Sequence, residues 1–306
     1  MLDSISKLEP QPKEVIVVLP EGYSEPAEKL GWETFYWSKK GMVFQRQKGI
    51  ESCRTEYALV CDDDVNFSPD FVQKLYEPLA DGQYGFSAGP LYSFLPEKGI
   101  RSAVCILSAS AVPTVFHRKD RYVSVLRSTG YSYNRHLKPG KLYETQSVAW
   151  TCFFCKVNAF LETDMMSEIW MEKQGYTAMD DQVQFYKAWL QGSKTAVVPE
   201  AVYEHMDGKT STRNNKPAIL YSLTFNRVVF WHRFIYSQAS NVFPKAAAWI
   251  AFQHRMLWDR LRELASVARK RMTSRDYATS VQGYRDGWKY LKSEEYRSLP
   301  PIIVKQ

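Results

Sequence analysis

The sequence predicts an α/β protein with a mainly parallel sheet flanked by helices, on three observations. Glu14 to Leu19 (EVIVVL) is an unbroken apolar run of the kind buried on both faces of a parallel sheet. Tyr57 to Cys61 (YALVC) is a second short apolar run, and it leads directly into three carboxylates, Asp62, Asp63 and Asp64. Helical stretches separate and follow these runs, and such alternation at this spacing belongs to a sheet layered with helices. A chain of 306 residues, 45% hydrophobic and 14% aromatic, supplies a substantial core and excludes a disordered or fibrous protein.

In order, Leu2, Ile5 and Leu8 stand at helical spacing and Pro10 and Pro12 end that helix. The strand Glu14–Leu19 closes in a turn at Pro20-Glu21-Gly22. Thr34 to Trp37 gives another strand, and Gly41 leads into a helix over Val43–Ser52 that carries Arg46 and Lys48. After the aspartates, Ser68-Pro69-Asp70 reads as a helix start, with Ser as cap and Pro at the first helical position. Phe71, Val72, Leu75, Tyr76 and Leu79 then share one face. From Phe86 to Tyr143 no period is clean, which predicts mixed loops and short helices. Trp150 to Cys155 returns to an apolar strand and Phe160 to Trp170 reads as an acidic helix. Thr177 and Asp180 have capping-box spacing ahead of an apolar face made by Val183, Tyr186 and Leu190, and Gly192 is the expected stop. Thr195 to Val198 is a last short strand before His205.

Forty Lys and Arg against 33 Asp and Glu give +7, compatible with a phosphate-bearing ligand or an anionic membrane surface. No dense basic run or nucleic-acid motif points to nucleic acid. Five cysteines, mostly in apolar surroundings, suggest reduced thiols and a cytoplasmic location. The pair Cys152 and Cys155 has CxxC spacing, but the bulky residues between them favour a core strand over zinc or redox work. The longest uncharged run, Ser102–Phe116, is 15 residues and contains Pro113, whereas a spanning helix needs about 20. Lys245 to Arg275 holds eight Lys or Arg against Asp259 and Glu263, with Trp249, Phe252, Met256 and Leu257 on an apolar side. That pattern fits a helix lying peripherally on the inner face of a membrane, or equally one packed on the main domain with its charges solvated.

Two features carry chemistry. Like charges at Asp62 to Asp64 repel unless a cation or donors hold them, and their place at the carboxyl end of a strand is where ligands of such sheets sit. The bland alternative is a turn whose carboxylates bond local N–H groups. Asp180 and Asp181 begin a helix, where one carboxylate suffices for capping, so Asp181 is left over. His205 follows a strand, as structural histidines often do, but in a chain with five histidines and two carboxylate clusters.

The ordered set of strand-Asp62-Asp63-Asp64, Asp180-Asp181 with Lys187 and Gly192 at fixed offsets, and His205 resembles the family 2 glycosyltransferases of the GT-A (Rossmann-like) fold. Gly41 to Ile50 (GMVFQRQKGI) and Asn226-Arg227 resemble further segments of that family. The resemblance implies a catalytic domain over residues 1–233 and a C-terminal helical extension over 234–306. It also implies a nucleotide-diphosphate sugar donor and a hydroxyl acceptor on a glycan, polysaccharide or lipid-linked sugar, with inversion at the transferred carbon. Asp64 and His205 then match metal ligands for Mn²⁺ or Mg²⁺; Asp62, Asp63, Arg46 and Asp180 match donor-binding positions; Asp181 matches the catalytic base.

Two departures stand out: Leu19-Pro20-Glu21 replaces an acid common after the second strand, and Asp180 replaces a common Glu. The family's opening strand has no counterpart ahead of Leu2-Asp3-Ser4-Ile5, so the resemblance also implies an N-terminally incomplete domain with an open slot between Val15–Val18 and Leu59–Cys61. A haloacid-dehalogenase-type phosphatase fits poorly, because Asn66 stands where it needs Thr or Val. A sugar nucleotidyltransferase, or a non-catalytic sugar-nucleotide-binding protein on the same fold, stays open.

Overall fold

The computed structural model describes residues 1–114, 119–206 and 216–305; the end of the uncharged run at 115–116 lies outside them. The elements in order are α1 (Leu2–Ser6), β1 (Ile16–Pro20), β2 (Thr34–Ser38), α2 (Met42–Ser52), β3 (Tyr57–Cys61), β4 (Val65–Phe67), α3 (Phe71–Ala80) and β5 (Phe86–Ala88). Then follow α4 (Ile100–Leu107), β6 (Ala111–Pro113), β7 (Val123–Val125), β8 (Tyr131–Tyr133), β9 (Tyr143–Thr145), β10 (Cys152–Lys156), α5 (Val157–Glu162), α6 (Asp180–Leu190), β11 (Thr195–Val197) and β12 (Tyr203–His205). The C-terminal region is helical: α7 (Lys216–Phe230), α8 (Val242–Ala268), α9 (Ser274–Tyr290) and α10 (Glu294–Arg297). The architecture is the expected mixed α/β one, with sheets flanked by helices.

The principal sheet has the order β3-β10-β5-β11-β9. Its strands β3, β5 and β11 run one way, but β10 lies antiparallel between β3 and β5, and β9 antiparallel to β11. The expected mainly parallel sheet is therefore mixed, because β10, from the middle of the chain, fills the place beside β3. Pleating sends alternate side chains of β10 to opposite faces. Phe153 and Cys155 join a cluster with Phe86, Phe160 and Phe185, while Cys152 and Phe154 join Phe71, Leu75 and Leu79 of α3. The two thiols of the CxxC spacing thus belong to different cores, as the core-strand reading requires.

β1 and β2 form a separate parallel pair, Ile16 opposite Thr34 through Pro20 opposite Ser38. All five β1 residues are half-buried, against the expected burial on both faces. The reason is local: among the described residues β2 is the one ladder partner of β1, and α2 packs against the pair, with Gln45 Nε2 donating to the Val18 carbonyl at 2.9 Å. Val15–Val18 and Leu59–Cys61 share no ladder. The uneven middle of the chain resolves into α4 and a three-stranded sheet in the order β6-β8-β7.

Helix starts differ from expectation in two places. Helix α3 begins at Phe71 with Asp70 as its cap residue, because the Ser68 hydroxyl bonds the Asp70 carboxylate at 2.6 Å instead of a backbone N–H. Helix α6 is preceded by Met179 in the left-handed region, φ 67°, with no capping box; the Thr177 hydroxyl donates to Glu172 at 3.0 Å. Gly192 does end α6 as expected, with Gly192 N–H on the Trp189 carbonyl and Ser193 N–H on that of Ala188.

One glycine couples the sheet to the site. A Cβ on Gly89, just past β5, would lie 1.7 Å from the backbone oxygen of Ala201, two residues ahead of β12. Gly89→Ala is expected to destabilise the protein by about 1–3 kcal/mol through overpacking and to displace the strand that ends in His205. Urea denaturation reads the first effect; a variant as stable as the parent would refute the close approach.

Candidate active site

β3 delivers Asp62 to the sheet's edge, where its N–H bonds the Thr151 carbonyl at 2.8 Å and fixes it beside β10. The chain then turns into β4, whose ladder with β12 places His205 opposite Val65, and Met206 N–H donates to the Asp64 carbonyl at 2.9 Å. Backbone pairing therefore brings the imidazole to the carboxylates. His205 Nε2 is 3.2 Å from Asp64 Oδ1, and ligand atoms of Asp62, Asp64 and His205 all lie within 4.8 Å of one another. Two carboxylates and one imidazole form a hard-to-borderline donor set suited to Mg²⁺ or Mn²⁺. The arrangement fits such an ion and adds Asp62 to the ligand set, which the resemblance assigned to Asp64 and His205 with Asp62 at the donor. Asp63 points outward, exposed, and is not in the cluster.

Arg46, on α2, supplies the opposite charge. Its Nη2 is 2.5 Å from Asp62 Oδ1 and 3.0 Å from the Trp150 carbonyl, and its guanidinium lies 4.3 Å over the Trp150 ring. Burial pushes the Asp62 carboxyl above its ordinary range, Asp64 adds to the rise, and Arg46 and His205 oppose it. The start of α2 is held by Glu172, which accepts from Val43 N–H at 2.6 Å; a Cβ on Gly41, at φ +150°, would collide with that carboxylate at 2.6 Å.

Asp180 and Asp181 open α6. The Asp181 carboxylate accepts from Gln182 N–H at 2.7 Å. Burial raises both carboxyls above their ordinary range, and the charge of Asp181 raises Asp180 further while Arg46 draws it back. Asp181 and Gln182 line a cavity of about 110 Å³ with the rings of Phe94, Tyr122 and Tyr131. The Phe94 ring is 6.2 Å from that of His205, so the cavity adjoins the cation cluster. A buried carboxyl whose proton affinity is raised thus lines an aromatic-walled space beside a cluster able to hold a cation.

The structure brings Asp62, Asp64, His205 and Arg46 into one group, with Asp180 feeling the charge of the same guanidinium and Asp181 on the adjoining cavity. Sequence reasoning missed Trp150, Glu172 and the aromatic wall. Trp150 was legible only as a strand residue, and nothing in the irregular stretch around Phe94 and Tyr131 marks them. Lys187, which figured in the motif, is buried and bonded to Glu168 at 2.7 Å, remote in role from any ligand.

Fold and site together define an α/β protein with an Asp-Asp-His cluster able to hold a cation at its strand ends. The family described as glycosyl transferase family 2 matches residues 1–153, half of the sequence, and the chain belongs to that family. Among solved structures, that of GalNAc-T7 with UDP, GalNAc and Mn²⁺ is similar over 89% of this chain at 10% identity and a TM-score of 0.46; this chain spans 55% of that one. No curated protein matches the chain.

Proposed function

We propose that this protein is an inverting, metal-dependent glycosyltransferase of hexosyltransferase type, moving a sugar from a nucleotide-diphosphate donor to a hydroxyl of a glycan, polysaccharide or lipid-linked sugar. The observation that carries the reading is the Asp62–Asp64–His205 cluster adjoining the cavity lined by Asp181. Asp62, Asp64 and His205 would hold Mn²⁺ or Mg²⁺, and the ion when bound neutralises charge on the departing diphosphate. Arg46 holds Asp62 in place and adds positive charge beside it. Phe94, Tyr122 and Tyr131 offer flat apolar faces to the C–H face of an acceptor sugar. Asp181 takes the acceptor hydroxyl proton as that oxygen bonds the anomeric carbon; the bond to the diphosphate breaks on the opposite face and its electron pair leaves with the phosphate oxygen. Residues 1–233 form the catalytic unit and 234–306 a helical extension. The five free thiols support a cytoplasmic setting.

The test is a panel of sugar nucleotides incubated with Mn²⁺ or Mg²⁺, scored for released nucleoside diphosphate. Pyrophosphate release instead would identify a nucleotidyltransferase, and binding without turnover a non-catalytic protein. Asp64→Asn and His205→Ala are each expected to weaken Mn²⁺ binding by at least about 10- to 100-fold, read by titrating the metal without donor. Unchanged Mn²⁺ affinity in both would remove this cluster from the metal site.

A further inference from the structure

Helix α4 exposes Ile100, Val104 and Leu107, one helical stripe, with Ile100 at 87% of its full accessibility. Helix α8 buries Phe252 and Met256 against the domain but turns a second stripe outward: Phe243, Ile250, Leu257 and Leu261, with Ile250 at 63% and Leu257 at 58%. The stripes meet where His254 Nε2 bonds the Leu107 carbonyl at 2.7 Å. The longer of these two outward stripes runs from Phe243 to Leu261, about 27 Å at 1.5 Å per residue. Exposed apolar residues gathered in stripes and rimmed by charge mark an interaction site.

Charge identifies the occupant. Of the eight Lys or Arg in residues 245–275, Arg255, Arg260 and Arg262 pair with Asp259 or Glu263, and Lys245, Arg269, Lys270, Arg271 and Arg275 lie outside those pairs. Arg269, Lys270 and Arg271 are exposed past the end of α8, and Lys98 and Arg101 are exposed at the start of α4. Glu97 beside them already pairs with Arg135 at 3.3 Å. A second copy of the chain would bring the same positive charge against this face, whereas an anionic bilayer complements it. No helix among the described residues is long and apolar enough to cross a membrane, so the mode is interfacial.

We propose that α4 and the outward face of α8 seat the protein on an anionic lipid surface. Because α4 follows closely on Phe94, whose ring lines the Asp181 cavity, the seat holds that cavity against the lipid headgroups. It thereby selects acceptors that are themselves amphiphilic, and this last step rests on the glycosyltransferase reading. The seat itself does not.

The experiment is flotation of the full chain with vesicles of phosphatidylcholine alone or with 30% phosphatidylglycerol, at 50 and 500 mM NaCl. Binding to the anionic vesicles at low salt, weakened severalfold at high salt, is expected. The variant Ile250→Glu/Leu257→Glu should lower the bound fraction at least tenfold with donor hydrolysis unchanged. Both side chains are exposed; should that variant fail to fold, Arg269→Glu/Lys270→Glu/Arg271→Glu reads the same partition. No binding of the parent at low salt overturns the proposal, as does concentration-dependent dimerisation abolished by the same double variant. Parent protein that floats but releases no nucleoside diphosphate from any donor would overturn the glycosyltransferase reading and leave the seat intact.

Discussion

Asp181→Asn is expected to lower turnover by roughly 10² to 10⁴ while leaving donor affinity near that of the parent. The amide keeps the shape of the side chain and can still bond near Gln182 N–H, but it cannot accept the hydroxyl proton. Equal activity in Asp181→Asn together with an inactive Asp180→Asn would reverse the assignment of the pair. The pH profile carries a second reading. Burial raises both carboxyls, so if Asp181 is the base as proposed, its ionised form is lost as pH falls through a value above the ordinary carboxylate range, and turnover should rise with pH on that limb. The two sites titrate as a coupled pair, and the limb belongs to both. The sign for stability is opposite. A carboxyl raised on folding contributes stability that is fully present below the ordinary pKa of about 4 and is lost as pH rises through its folded value. Asp180→Asn, which removes one buried charge next to another, is therefore expected to be more stable than the parent to urea at pH 8.

The placement of much of this candidate site is legible in the sequence because it depends on local pattern. An apolar run ending in three acids has few foldings other than a strand with carboxylates at its tip, and Asp62 and Asp64 are found there. Asp181 could be placed because the apolar residues from Val183 to Leu190 fix the rotation of α6. What was not legible depends on which strands become neighbours. Nothing in YALVC or CFFCK states that β10 will run antiparallel beside β3, and so the mixed sheet and the placing of Trp150 over Arg46 could not be foreseen. The caps at Ser68 and Thr177 depart from the sequence pattern for a related reason: each hydroxyl has a carboxylate within reach, Asp70 or Glu172, that a linear sequence does not reveal. The aromatic wall is built from Phe94, Tyr122 and Tyr131, which lie far apart in a stretch without period.

Glu168→Ala should cost about 3–5 kcal/mol, because it strands two buried cations. Glu168 is fully buried in the turn ahead of α6, and its carboxylate is bonded from every side. Arg233 reaches it twice, Nε to Oε2 at 2.7 Å and Nη2 to Oε1 at 2.8 Å; Lys187 Nζ lies 2.7 Å from Oε1; and Trp170 Nε1 donates at 2.8 Å. Burial alone would raise this carboxyl, but the bonds from Arg233 and Lys187 outweigh it and hold Glu168 below its ordinary value. Its stabilising share is thus present above the ordinary pKa and is lost as pH falls through the lower folded one. Lys187 sits on α6 one turn from its end, and Arg233 also bonds the Pro300 carbonyl at 2.9 Å, so a single carboxylate ties α6 to the C-terminal helices and to the final segment of the chain. That tie sets the direction in which the other end of α6 presents Asp181. Glu168→Ala should therefore lose both stability and turnover, whereas Lys187→Met, which removes one cation but leaves the bidentate Arg233 pair, should lose less of each. Guanidinium denaturation beside donor-hydrolysis rates separates the two variants. A Glu168→Ala protein within 1 kcal/mol of the parent (RT ln of about fivefold) would show that the buried cluster does not hold α6 in place.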